Sequence, residues 1–159
     1  KEVLEILERI KPKLLVVWGN TIIKPEILSM ADKIINLHMG LCPYYRGSVA
    51  NQYALINNEL EKIGATIHYV EEGTDTGDII STITANLSKV PKDLFLELNN
   101  KARDTYLGIA EKIFRGENVS RKTQDLSAGK NYMLKDWTPS VRYKLSKKIL
   151  KWEKTKILS

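Results

Sequence analysis

Asn36 and His38 stand two positions apart in the run Lys33-Ile34-Ile35-Asn36-Leu37-His38, where every other residue after the lysine is apolar. On an extended chain that spacing places both polar side chains on one side of the strand. An imidazole carries protons near neutral pH and a carboxamide both donates and accepts hydrogen bonds, so the pair could serve chemistry on a polar group. Asp75, in Gly73-Thr74-Asp75-Thr76-Gly77, offers a carboxylate as proton acceptor. Each also has an ordinary explanation: His38 as a satisfied, partly buried histidine, Asn36 as a turn or cap residue, and Asp75 as part of a tight turn. His68 alternates within a strand-like run and is explained in the same way. Asp-Thr-Gly is in addition the triplet of aspartic proteases, which pair two such aspartates. A single copy would require a homodimer and would leave Asn36 and His38 without a role.

The elements that must position these residues follow from periodicity. Val3, Leu4, Ile6, Leu7 and Ile10 recur at helical spacing before Pro12, and Leu14-Leu15-Val16-Val17-Trp18 reads as a buried strand. A short helix over 25–30 precedes the strand that ends at His38. A helix over 48–57 follows the loop 43–47, and strands over 65–70 and 78–83 flank the turn-rich segment 71–77 that holds Asp75. A long helix over 92–115 and a last helix over 140–156 complete the chain. Helices alternating with strands predict an α/β domain with parallel strands, whose sites form outside the carboxyl ends of the strands, where Asn36 and His38 lie. No glycine-rich phosphate loop of either common type is present, which removes the main support for dinucleotide or nucleoside triphosphate binding.

Composition sets limits. With 159 residues, 43% of them hydrophobic and 28% charged, the chain has the length and composition of one folded domain, and no apolar run approaches the roughly 20 residues of a membrane helix. Cys42 is the only cysteine, which gives no internal disulfide and, with two histidines, no metal-ligand spacing, so no metal is expected. The absence of a signal-peptide pattern points to a cytoplasmic setting. The net charge of +6 is uneven: from Arg115 onward twelve Lys/Arg face four Asp/Glu. A solvated basic helix face and contact with an anionic partner such as RNA both explain this excess.

Taken together, residues 35–59 and 63–80 resemble the central region of the formyltransferase family that uses 10-formyltetrahydrofolate. The family pattern of Asn-x-His, a Pro-containing loop, Arg-Gly, a helix, Gly-x-Thr-x-His and Asp-x-Gly is met in order. The matching residues are Asn36-Leu37-His38, Gly40-Leu41-Cys42-Pro43, Arg46-Gly47, Gly64-Ala65-Thr66-Ile67-His68 and Asp75-Thr76-Gly77. Gly40 stands where the family usually has Ser and Cys42 where Leu is common, which bears on acceptor contacts rather than on Asn36, His38 and Asp75. The resemblance implies a Rossmann-like formyltransferase domain with a mostly parallel sheet over residues 1–116, apparently lacking its N-terminal strand and helix units. Residues 117–159 would form a loop and a basic amphipathic helix.

The resemblance further implies Asn36, His38 and Asp75 as catalytic residues. Asn36 and a protonated His38 would donate to the oxyanion of the attacked formyl group, and Asp75 would take the proton of the attacking amine. The formyl donor 10-formyltetrahydrofolate would rest against Trp18, Asn20 and Ile22 and against Glu72, Gly73 and Thr74, while Pro43, Arg46 and Gly47 would form an acceptor loop. The implied partners are the folate and a small-molecule amine, with a nucleotide-linked amino sugar as the first choice of acceptor and no membrane. Methionyl-tRNA or glycinamide ribonucleotide are the alternative acceptors, tRNA being disfavoured because only a loop and a basic helix follow residue 116. Deformylation by water uses the same three residues, and a non-catalytic nucleic-acid-binding module is the reading from another class.

Overall fold

Runs of branched apolar residues form the sheet. β1 (Leu14–Trp18) lies parallel to β2 (Lys33–His38), and a short helix, α2 (Pro25–Leu28), stands between them in the chain. The coordinates are a computed structural model that describes residues 2–19 and 23–157, with side chains through residue 155. β4 (Gly64–Tyr69) pairs antiparallel with β2, and β5 (Ile79–Thr84) pairs antiparallel with β4, giving the order β1-β2-β4-β5. Before β4 come a three-residue strand, β3 (Tyr45–Gly47), and the helix α3 (Ala50–Ile56). α4 (Pro91–Phe114) opens on a proline, whose missing N–H costs nothing in a first turn. It closes on Gly116 at φ 80°, where Glu117 N–H donates to Lys112 O and Gly116 N–H to Ile113 O.

The class is the expected α/β, Rossmann-like one, but the sheet is not mostly parallel. Two of its three ladders are antiparallel. The connection 70–78 between β4 and β5 contains no helix and is too short for a parallel crossover, which needs a dozen or more residues. The chain leaving β2 at His38 re-enters β4 beside it, since Thr66 pairs with His38, and a strand that starts where its neighbour ends must run the other way.

Leu94, Leu98, Ala102 and Tyr106 on α4 bury one helix face with Ile35, Leu37 and Ile67 of the sheet in a single core. Residues beyond α4 join that core. β6 (Lys130–Tyr132) pairs parallel with β3, Tyr132 stacks between Tyr45 and Tyr53, and Trp152 of α5 (Pro139–Ile157) is buried. The expectation of a buried strand at 14–18 needs correction: among the described residues β1 pairs on one side only, and Val16 and Trp18 are 50% and 53% exposed. The helix before it, α1 (Glu2–Ile10), buries only Leu7.

Candidate active site

β2 delivers the two polar side chains and the loop 70–78 brings Asp75 back over them. Asn36 Nδ2 donates to Asp75 Oδ1 at 3.2 Å, and His38 Nδ1 lies 3.2 Å from Asp75 Oδ2. The same carboxylate accepts the Gly47 backbone N–H at 2.8 Å and meets His68 Nε2 at 3.3 Å. Asp75 sits at φ 51°, in the left-handed region that aspartate tolerates better than most residues, and this conformation belongs to the turn that aims its side chain inward. The side chain is only 13% exposed. Sequence reasoning about Asn36, His38 and Asp75 therefore converges on one cluster.

Hydrogen counting fixes most of the protons. A carbonyl oxygen can only accept, so His38 Nε2–H donates to Tyr45 O at 2.9 Å and His68 Nδ1–H donates to Tyr69 O at 2.7 Å. The two hydrogens of the Asn36 amide suit Asp75 Oδ1 and His68 Nε2, the latter at 3.2 Å; a flipped amide would press oxygen against the carboxylate. Each ring has one N–H for two acceptors, His38 facing Tyr45 O and Asp75 Oδ2 and His68 facing Tyr69 O and Asp75 Oδ1, but only His68 has the Asn36 amide to fill its second nitrogen. The 3.2 Å contact of His38 is completed only when its ring takes a second proton. Burial holds His38 below its usual 6.5, against the opposing pull of the Asp75 carboxylate and the Tyr45 carbonyl. For Asp75, burial pulls upward but is outweighed by the two imidazoles beside it, His68 more than His38, and by the Gly47 N–H, which hold the carboxyl below its usual 3.8. The arrangement is thus a carboxylate beside a neutral imidazole, with a place between them for one further proton.

The other expected residues are placed as follows. Gly47 ends β3 and bonds directly to the Asp75 carboxylate. Pro43 follows a cis peptide after Cys42, and Arg46 reaches Leu126 O at 3.4 Å. Trp18 ends β1 opposite Leu37; by strand alternation it is Val17, paired with Asn36, that shares the face of Asn36 and His38. Glu72 and Gly73 are exposed and Thr74 is half-buried on the loop that carries Asp75. Asn20 and Ile22 lie outside the described residues. Two participants escaped the sequence reading. His68 was explained as a strand histidine, yet the antiparallel register sets it directly across from Asn36, and its signal lay in the Gly64-x-Thr66-x-His68 spacing. Gln124 donates to the carbonyls of Asp75 and Gly77, and no local pattern around it announces this. Cys42 is buried near Asp75 O, and burial pushes its thiol up to about 12, which makes it inert as a nucleophile.

Residues 1–106 match the profile of the family described as formyl transferase. Among curated proteins, methionyl-tRNA formyltransferase of Desulforamulus reducens is 37% identical over 99 residues, a match covering 61% of this chain and 30% of that protein. The enzyme of the same name from Alkaliphilus metalliredigens is 31% identical over 136 residues, covering 83% of this chain and 43% of that one. The chain thus matches less than half the length of these relatives. Among solved structures, the formyltransferase PseJ from Anoxybacillus kamchatkensis, in complex with UDP-4,6-dideoxy-4-formamido-L-AltNAc and tetrahydrofolate, is 26% identical with a TM-score of 0.62, over 78% of this chain and 66% of that one. Phosphoribosylglycinamide formyltransferase from Bacillus halodurans is 28% identical with a TM-score of 0.60, over 70% and 59%.

Proposed function

Because the chain belongs to the formyl transferase family, we propose that the protein carrying it moves a formyl group from 10-formyltetrahydrofolate to the amine of a nucleotide-linked amino sugar. The observation that carries the reading is the Asp75 carboxylate held against Asn36 and His38, with room for one proton. This donor set fits a carbonyl compound attacked by an amine. The folate supplies a formyl group activated by its bond to nitrogen, and it would rest along Trp18, Asn20, Ile22 and the loop residues Glu72, Gly73 and Thr74. Asn36, half-buried and reachable, exchanges its bond to His68 for one to the formyl oxygen and stabilises the charge that develops there. The Asp75–His38 pair takes the proton that the attacking amine must lose as its bond to the formyl carbon forms. It returns that proton to the folate nitrogen as the old carbon–nitrogen bond breaks. His38 protonated in this way donates at both ring nitrogens, which keeps its bond to Tyr45 O intact throughout.

The sugar acceptor is supported by the likeness to PseJ, which was solved with a formamido nucleotide sugar. A second acceptor, methionyl-tRNA, is favoured by the higher identity to the two bacterial relatives of that name. The test is tetrahydrofolate release from 10-formyltetrahydrofolate by the full-length protein, with nucleotide amino sugars, methionyl-tRNA, glycinamide ribonucleotide or water as acceptor. Rapid release with an amino sugar alone supports the reading. Release only with tRNA or only with water moves the protein to those activities, and no folate turnover with any of the four overturns formyl transfer.

A further inference from the structure

We propose that Gln124 is a positioning residue for the Asp75 carboxylate, acting from a segment that lies beyond the family-matched residues. Its Nε2 donates to Asp75 O at 3.1 Å and to Gly77 O at 2.5 Å, so one amide spans both sides of the turn that carries Asp75. The residue is 9% exposed. Its Oε1 is buried with no partner among the described residues, and turning the amide over would bring that oxygen against two carbonyls. The orientation is therefore fixed by the loop it grips, and the orphaned Oε1 shows that grip being kept at the cost of a buried acceptor.

The surroundings hold Gln124 in line. Ile79 N–H donates to Lys122 O at 2.8 Å and Lys122 N–H to Ile79 O at 2.9 Å, an antiparallel bridge that lays the chain around residue 122 along the exit of the Asp75 loop. Arg121 pairs with Asp78 and Glu71 on the outer side. After Gln124 the chain turns at Asp125, which caps Ser127, and runs into β6, where Lys130 N–H reaches Tyr44 O and Tyr132 O accepts from Ser48 N–H. One segment thus ties the Asp75 loop to the strand whose Gly47 N–H meets the same carboxylate. Gln124 itself touches neither carboxylate oxygen; it acts through the main chain of Asp75, whose φ of 51° fixes where the side chain points.

The inference deepens the formyl-transfer reading, and the test separates the two. Gln124→Met in the full-length protein keeps the volume and removes the donor, and Arg121→Gln serves as a control in the same segment. Gln124→Met should lower kcat about tenfold, the rate equivalent of one lost hydrogen bond, with KM for the folate within about twofold. Arg121→Gln should leave both near wild type. Because the described chain has only two histidines, both on Asp75, the ring nitrogen signals of His38 and His68 report the carboxylate without any substrate. They should move in Gln124→Met and stay in place in Arg121→Gln. Unmoved ring signals in a folded Gln124→Met protein overturn the proposal, as does a kcat unchanged once the folded fraction is taken into account. If the wild-type protein transfers no formyl group, the ring signals alone decide: their movement upholds the positioning role although the functional reading has failed.

Discussion

Two regions hold Asp75, and they hold different parts of it. β2 and β4, with Gly47, meet the two carboxylate oxygens through Asn36, His38, His68 and a backbone N–H. Lys122 and Gln124 meet only the main chain of its loop and of the strand that follows. The first region sets the charge and the proton affinity of the site; the second sets where that charge stands. A substitution in the first should change chemistry at nearly constant shape, and a substitution in the second should change shape with the chemical groups left in place.

The sharpest break comes from the first region. Asp75→Asn keeps size and some hydrogen bonding while removing the proton acceptor, and should cost roughly a thousandfold in kcat with folate affinity little changed, read from steady-state kinetics beside a binding titration. Asn36→Ala should cost about a hundredfold, by analogy with other oxyanion donors, His38→Ala about as much through loss of the proton-carrying partner of Asp75, and any pair should cost far less than the product of its singles. Near-normal turnover in a folded Asp75→Asn protein would remove the central claim.

The chain that runs on from the second region into β6 should answer in stability. At Gly129 an added Cβ would lie 2.0 Å from Pro43 O and 2.4 Å from Tyr44 Cα, both backbone atoms that cannot step aside. Gly129→Ala should therefore cost about 2 kcal/mol in urea unfolding, the range of an overpacked site, while an exposed change such as Arg121→Gln costs a few tenths. An unchanged urea midpoint in Gly129→Ala would show that the junction between β6 and the loop at Pro43 yields freely.

Acid should distinguish the regions more gently. His38 is held below its usual 6.5 and Asp75 below its usual 3.8, so for each the folded state binds fewer protons than the unfolded one. Stability from His38 is complete above 6.5 and falls as pH drops toward the folded value; that from Asp75 falls only below 3.8. Denaturation between about pH 7 and about pH 5 should show a loss that His38→Gln abolishes. The smallest effect belongs to the basic helix. Lys147, Lys151 and Lys154 on α5 are exposed, and changing all three to Gln should leave formyl transfer to a small acceptor within about twofold. A large fall with the fold intact would put α5 at the acceptor.

The periodic elements were legible because their signals are local. The run Lys33–His38, the proline opening α4 and the glycine closing it each act within a few residues, and the observed bounds depart from the expected ones by a residue or two. α3 starts at Ala50 rather than Ser48 because Val49 stands at φ 52°. Strand direction was not legible: it depends on where β4 re-enters beside His38, a tertiary fact. The same register hid His68, whose partner Asn36 is 32 residues away. β3 and β6 escaped because three-residue strands carry no period, and Gln124 because its partners lie 49 and 47 residues back in a loop it does not resemble.

The exposed side of β1 bears on how these residues behave in a test tube. Val16 and Trp18 are large exposed apolar side chains, as are Val3, Ile6 and Ile10 of the preceding helix, and among the described residues nothing pairs with the outer edge of the strand. An open edge with apolar side chains is a template for another strand. Residues 1–159 prepared alone should therefore be colloidally fragile, with light scattering that rises with concentration and falls when Val16→Lys charges the edge. Solubility would then be governed at the end of the sheet farthest from β5, by a side chain, Val16, that has no part in the proposed chemistry.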